Sequence, residues 1–298
     1  MSTVYMVRPS PGEGLGCFAT TDIQPGTLIL SETPLFSVAE PRTNSAVTTA
    51  FASLDSAQQL QYLTLYAQNS HAKHNDAARV TDIFNSNAWQ TGSRTSICPL
   101  AARFNHSCVP NASFAWNARL GQITIYAIVS IPADTQIKLS YERPYQTTSS
   151  RRAKLSAYGF TCACLACSDA SCCSDVRRSR MLLLDARIRT GRRQLWRSPV
   201  PKAALELIRL LKEEGLVGEA LGLAYHDAAL GWKRHGRLDL AVGCARKELE
   251  VAVMCFGVES LAVEGSMAFL VGLKGEAGKI EKARCTANTL EVLEKDTG

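Results

Sequence analysis

At 298 residues the chain is long enough for one large or two medium domains with a sizeable core. Apolar residues make up 46% and charged residues 20%, a soluble globular balance too apolar for a disordered chain, and no apolar run approaches a membrane span. The net charge of +6 is uneven: residues 177–212 alone carry eleven Arg and Lys against Asp185 and Glu206, a local +9.

In chain order, residues 1–40 read as short strands joined by turns. Gly12, Gly14 and Gly16 share one loop in "GEGLG", and a Pro25-Gly26 turn precedes the apolar "TLIL". The opening "MSTVYMVRPSPGEG" lacks the basic-then-apolar layout of a signal peptide, so a reducing location in cytoplasm or nucleus is expected. Residues 41–92 change to helical spacing, with Asp76 and Asp82 as caps or leads of a segment ending near Trp89. His71 and His74 of "HAKH" have no further ligands nearby and read as solvated helix residues.

Strand signals return after residue 111 in "ASFAWN", "QITIYAIV" and "TQIKLSY", separated by Asn117–Gly121 and Ile131–Asp134. A β-rich frame with a helical insert follows, whose first and last strands must meet across a long chain separation. From about residue 178 the period is helical to the end. Leu238, Ala241, Val242, Ala245, Leu249, Ala252 and Phe256 form one apolar stripe, closed by Gly257 as a C-cap. The preceding segment reads as its antiparallel partner through a turn at His235-Gly236, with Tyr225 and Trp232 in the packing. Breaks every 15–20 residues resemble tetratricopeptide hairpins without a strict repeat. The basic stretch 177–212 reads as a solvated helix face and linker. It lacks interleaved aromatics apart from Trp196, so direct nucleic-acid binding is not expected.

Two clusters carry chemistry. Eleven cysteines in a reducing compartment point to free, buried or metal-bound thiols, and Cys162, Cys164 and Cys167 form C-x-C-x-x-C. Three thiols this close converge on one ion, and Zn²⁺ takes four tetrahedral ligands with sulfur favoured. The fourth is Cys172 or Cys173 nearby, or the remote Cys108 in "RFNHSCVPN". In that motif Cys108 beside His106 also spells a nucleophile pair, but no third group to orient the imidazole stands near it.

Taken together, "GEGLGCFA", "NHSCVPN", "IKLSY" and "YGFTCACLAC", in this order over residues 12–167, resemble the SET-domain protein lysine methyltransferases, especially the SMYD (SET and MYND) branch and its fungal relatives. The insert at 41–92 has no cysteine, so the MYND zinc finger of that branch is absent.

The resemblance implies an α+β fold of small curved sheets with a knot-like crossing, in which the NHSC segment passes the "IKLSY" segment. The implied layout is a SET domain over 1–157 with the insert, a zinc-binding post-SET segment over 158–175, and an all-α, TPR-like domain over 176–298. It implies S-adenosylmethionine (SAM) as co-substrate, bound by the Gly14, Leu15 and Gly16 backbone, Asn87, Asn105 and His106, with Tyr158 and Phe160 flanking the adenine. Tyr141 would be the catalytic hydroxyl and Tyr145 a wall of the lysine channel. One Zn²⁺ would be held by Cys108, Cys162, Cys164 and Cys167. The expected activity is SAM-dependent methylation of a lysine in a histone or other protein, by a monomer. Glu13 and Leu15 stand where many relatives carry basic residues, which is the argument for an alternative: an inactive SET scaffold binding proteins through its C-terminal helices.

Overall fold

The computed structural model describes residues 3–68, 77–168, 173–193 and 200–295, with side chains of 192–193 and 280–295 left out. His71, His74, Asp76, Cys172 and Trp196 lie outside the described residues. The architecture is α+β: small sheets carry the N-terminal half and helices the C-terminal half.

β1 (Tyr5–Ser10) and β2 (Gly14–Ala19) form a hairpin, paired Ser10 to Gly14 across the 11–13 turn, where Gly12 has φ 76°. β3 (Leu28–Glu32) and β4 (Phe36–Ala39) then leave for two other sheets. The insert is helical as expected, through α1 (Asn44–Ala52), α2 (Ser56–Leu63) and α3 (Ala77–Asn87). Thr43 caps α1, and Asp55 with Gln58 forms a capping box on α2. Asp82 lies inside α3 rather than capping it. Helix α3 stops at Asn87, so Trp89 falls in a strand that the helical pattern hid, β5 (Ala88–Thr91). It pairs with β6 (Arg94–Ile97), which pairs with β4. Tyr62 is fully buried and donates from its hydroxyl to the Val80 carbonyl at 2.6 Å, pinning α2 to α3.

A two-residue strand, β7 (Asn105–His106), follows. Then β8 (Ala112–Asn117), β9 (Gln122–Ala127) and β10 (Gln136–Leu139) occupy the three segments read as strands. One sheet is ordered β3-β9-β8 and another β1-β2-β10-β7. The long-range closure therefore falls on the second strand, with Cys17 opposite Ile137, and leaves β1 at the edge. In the same sheet β7 runs parallel to β10, Asn105 beside Lys138 and His106 beside Leu139. The 105–111 segment then wraps the strand: Ser107 N donates to Leu139 O at 2.8 Å, Asn111 Nδ2 to Gln136 O at 2.9 Å, and Lys138 N back to Asn111 Oδ1 at 2.8 Å. Ile123, Ile125, Ile131, Ile137, Leu139 and Phe104 form the core behind this crossing.

Helix begins earlier than the apolar pattern indicates. α4 (Thr148–Leu155) and α5 (Leu165–Ser168) lie ahead of α6 (Cys173–Arg193), which itself starts before residue 178. α4 escapes a hydrophobic reading because its buried residues are Arg151 and Leu155. α7 (Val200–Glu213), α8 (Glu219–Arg234), α9 (Leu238–Phe256) and α10 (Leu261–Lys295) follow, each packed on the one before. The turn at His235-Gly236 is present, with Gly236 at φ 71°. Tyr225 is buried and Trp232 packs at the edge of the helical core.

α9 also packs on β8 and β9, joining the two halves. Gly257 caps α9 at φ 74°, and the Tyr126 ring fills the space a Cβ would need, so only glycine serves there. No described helix is long and apolar enough to cross a membrane.

Candidate metal centre and active site

The crossing delivers Cys108 to the three cysteines near residue 165. The Sγ atoms of Cys108, Cys162, Cys164 and Cys167 all lie within 4.8 Å of one another, with Cys108 3.8 Å from Cys162 and 3.5 Å from Cys167. A tetrahedral zinc with Zn–S of about 2.3 Å spaces its sulfurs by about 3.8 Å, so the donor set fits that ion in number, type and spacing. Cys173 is the exposed first residue of α6. Thiolates are the metal-binding form of cysteine, so a divalent cation would displace the thiol protons on binding.

His106 is 4% exposed and bridges two groups. Its Nδ1 accepts from the Tyr141 backbone N–H at 3.0 Å, so the ring proton belongs on Nε2, which faces Cys108 Sγ at 3.2 Å. Burial lowers the imidazole to about 4, which keeps it neutral. The Cys–His pair is thus a support between cluster and strand, and the nucleophile reading loses its basis.

Tyr141 stands at the end of β10. Its hydroxyl donates to the Phe104 carbonyl at 2.7 Å, and its ring lies 5.2 Å from His106 and 5.3 Å from Tyr158. Phe160 completes the group, 6.1 Å from His106. Burial pushes the Tyr141 phenol above its ordinary value, so it stays protonated at neutral pH. Tyr145 is brought elsewhere: it packs against the helical core that includes Ile128 and Met181.

The Gly-rich turn closes the other side. Asn105 Nδ2 donates to Leu15 O at 3.0 Å, and Lys138 Nζ reaches Glu13 Oε1 at 2.7 Å. Desolvation works against the Glu13 carboxylate, but Lys138, Gln136 and Ser10 outweigh it and hold the carboxyl below its usual range. Gly14 has φ 75° with open space where a Cβ would stand, leaving the backbone free to meet a ligand. Gly16 has none, because Gln136 and Asn105 occupy it. Asn87 sits apart, at the end of α3, with Nδ2 donating to Tyr66 O and Ile83 O, both at 2.7 Å.

The SET domain profile matches residues 14–142, the span that holds the Gly-rich strand, the 105–111 crossing and Tyr141. Residues 14–142 thus carry a SET domain, and the curated relatives the chain resembles are histone-lysine methyltransferases. It is 29% identical over 268 residues to the histone-lysine N-methyltransferase set5 of Schizosaccharomyces pombe, covering 86% of this chain and 80% of that protein. It is 38% identical over 82 residues to the histone-lysine N-methyltransferase ATXR2 of Arabidopsis thaliana, covering 26% of this chain and 17% of that one.

Around this SET domain the structure adds residues that the sequence did not single out. Arg151 is 1% exposed and donates to Cys108 Sγ at 3.1 Å and Cys167 Sγ at 3.3 Å. Arg178, fully buried, donates to the Cys108 carbonyl at 2.9 Å and to Glu214 at 2.8 Å, tying α6 to the crossing. Among the described residues, five of the stretch's eleven cations are paired: Arg177 and Arg178 turn onto Glu214, Arg180 meets Glu206, Arg189 meets Asp185, and Arg209 meets Glu213. Glu213 and Glu214 lie just beyond the stretch as counted, so its net charge overstated its field.

Proposed function

We propose that the protein transfers methyl groups from SAM to a lysine side-chain amine of a protein, with histones as the first substrate class to test. The observation that carries the reading is the Tyr141 hydroxyl, fixed by Phe104 O inside the His106–Tyr158–Phe160 aromatic group. Its proton is committed to a carbonyl, so its lone pairs remain to accept an N–H from an incoming amine and aim the nitrogen lone pair. A phenol kept neutral by burial is a poor base, and lysine methylation needs little base. A free lysine of pKa about 10.4 is neutral in roughly one molecule in 2,500 at pH 7, and an apolar channel beside a cation raises that fraction. What the residues supply is aim and electrostatic stabilisation.

SAM, when bound, supplies the methyl on a sulfonium. The Gly14–Gly16 backbone and Asn105 would hold its amino-acid end, and the Tyr158 and Phe160 rings its adenine. His106 would act through its main chain, since both ring nitrogens are engaged. Asn87 is the weakest member of the set, because its amide donors already serve Tyr66 and Ile83. Tyr145 would border the lysine channel only if the helical core yields it.

A zinc at the four cysteines would be structural, fixing the angle of the 105–108 turn. We also read residues 158–175 as a post-SET segment and α6–α10 as a TPR-like domain beside the substrate groove. The working form is read as a monomer in cytoplasm or nucleus. The competing reading, an inactive scaffold, draws on Glu13 in the Gly-rich turn. The Lys138 contact weakens it by neutralising that acid. Isothermal titration with SAM separates the two: the enzyme binds stoichiometrically, and a chain that binds no SAM is a scaffold.

A further inference from the structure

Arg151 occupies a position that packing alone does not explain. Its guanidinium is enclosed, and its donors are spent on Cys108 Sγ, Cys167 Sγ, Gln146 O at 2.5 Å, Thr148 Oγ1 at 3.0 Å and Ala166 O at 3.3 Å. The carboxylate that faces it, Asp175, stands 4.0 Å away and one-third exposed, already accepting from the Thr148 N–H and hydroxyl. A buried cation without close counter-charge is strongly disfavoured. Four neutral thiols would give it none. Four thiolates around a divalent ion carry two surplus negative charges, and two of those sulfurs are the ones Arg151 touches.

We propose that Arg151 is the built-in counter-cation of the four-cysteine centre, and that it sets how firmly the site keeps its metal and how electron-rich its sulfurs are. The inference rests on the zinc reading above. Each N–H···S contact draws electron density from a thiolate and favours its deprotonated, metal-bound form. Cys108 receives two such contacts, from Arg151 Nε and His106 Nε2, and Cys167 receives one. Asp175 opposes the effect by holding part of the guanidinium's field.

Three variants of the full chain test it: Arg151→Met, which keeps length but not charge; Arg151→Lys, which keeps charge but not the two-pronged contact; and Asp175→Asn, which removes the opposing charge but leaves an oxygen for Thr148. Zinc release into a chromogenic chelator is timed at neutral pH. The thiolate-to-metal charge-transfer band is recorded with Co²⁺ in place of zinc. Arg151→Met should release zinc about 10- to 100-fold faster and move the band to longer wavelength, with Arg151→Lys between it and wild type. Asp175→Asn should move both readouts the opposite way, which mere loosening of the fold does not do. Release rates and bands unchanged in Arg151→Met overturn the proposal. Should that variant not fold, unchanged values in both Arg151→Lys and Asp175→Asn overturn it equally. A wild-type chain that takes up neither Zn²⁺ nor Co²⁺ overturns the zinc reading and this inference with it.

Discussion

Replacing Glu214 by Gln should loosen the joint between the SET domain and the helices. Glu214 is 2% exposed at its side chain and accepts from Ser174 Oγ, from Arg177 Nε at 2.6 Å and from Arg178 Nε at 2.8 Å. Arg178 has no exposure of its own and spends its other nitrogens on Pro144 O and Cys108 O. Glu214→Gln therefore strands a buried guanidinium and points an amide N–H₂ at donors. Breaking a buried pair from one side costs about 3–5 kcal/mol. At about 2–4 °C per kcal/mol for a chain of this size, that lowers Tm by roughly 6–20 °C. The pH dependence has a definite sign. Burial opposes ionisation of Glu214, but Ser174, Arg177 and Arg178 prevail and hold its folded pKa below the unfolded value. The stability it contributes is thus present above the unfolded carboxylate range and disappears as pH falls through the lower, folded value. Glu214→Gln should flatten that acid limb. Thermal unfolding of wild type, Glu214→Gln and the double variant Glu214→Leu/Arg178→Met, across pH 3–7, makes the comparison. The double variant should recover part of the loss, because it strands no buried charge, while Ser174 Oγ, Pro144 O and Cys108 O each lose one neutral hydrogen bond. A Glu214→Gln Tm within about 2 °C of wild type would refute the reasoning.

Tyr141→Phe should bind SAM as wild type does while turnover falls about 10²–10³-fold, since the ring contacts stay and only the hydroxyl at Phe104 O goes; paired titration and rate measurements check it. Asn105→Ala releases the Leu15 carbonyl and should raise the SAM Kd before it alters the rate of transfer at saturation. Elemental analysis should find about one zinc per wild-type chain and little in Cys108→Ser, whereas the Cys172→Ser/Cys173→Ser pair should keep it.

Much of the site was legible because it lies in short motifs whose chemistry is local. The C-x-C-x-x-C spacing announced three of the four sulfurs, and "IKLSY" located the tyrosine at a strand end. Cys108 was one of three candidates for the fourth sulfur, and only the family resemblance chose it, since fifty-odd residues separate it from the rest. Arg151 and Arg178 were not legible at all: an arginine in a polar helix looks solvated until the fold shows what it faces. The same blindness moved the helical boundary, because a period count searches for apolar residues and α4 buries a guanidinium. The strand β5 was missed for the opposite reason: it follows α3 without a break, and no Gly or Pro marks the change. Asn87 and Tyr145 show a further limit, since a residue type that suits a cofactor or channel equally suits a helix end or a domain interface.

Lysine methylation by this protein is tested by methyl transfer itself. Purified full-length protein is incubated with methyl-labelled SAM and a histone mixture, followed by mass spectrometry of the labelled chains. Wild type should place label on lysine side chains, and Tyr141→Phe should lose a hundredfold or more of it. Label on lysine that persists at the wild-type rate in Tyr141→Phe would contradict the assigned chemistry. SAM bound with no lysine labelled in histones or in a whole-cell protein extract would contradict the enzyme reading itself.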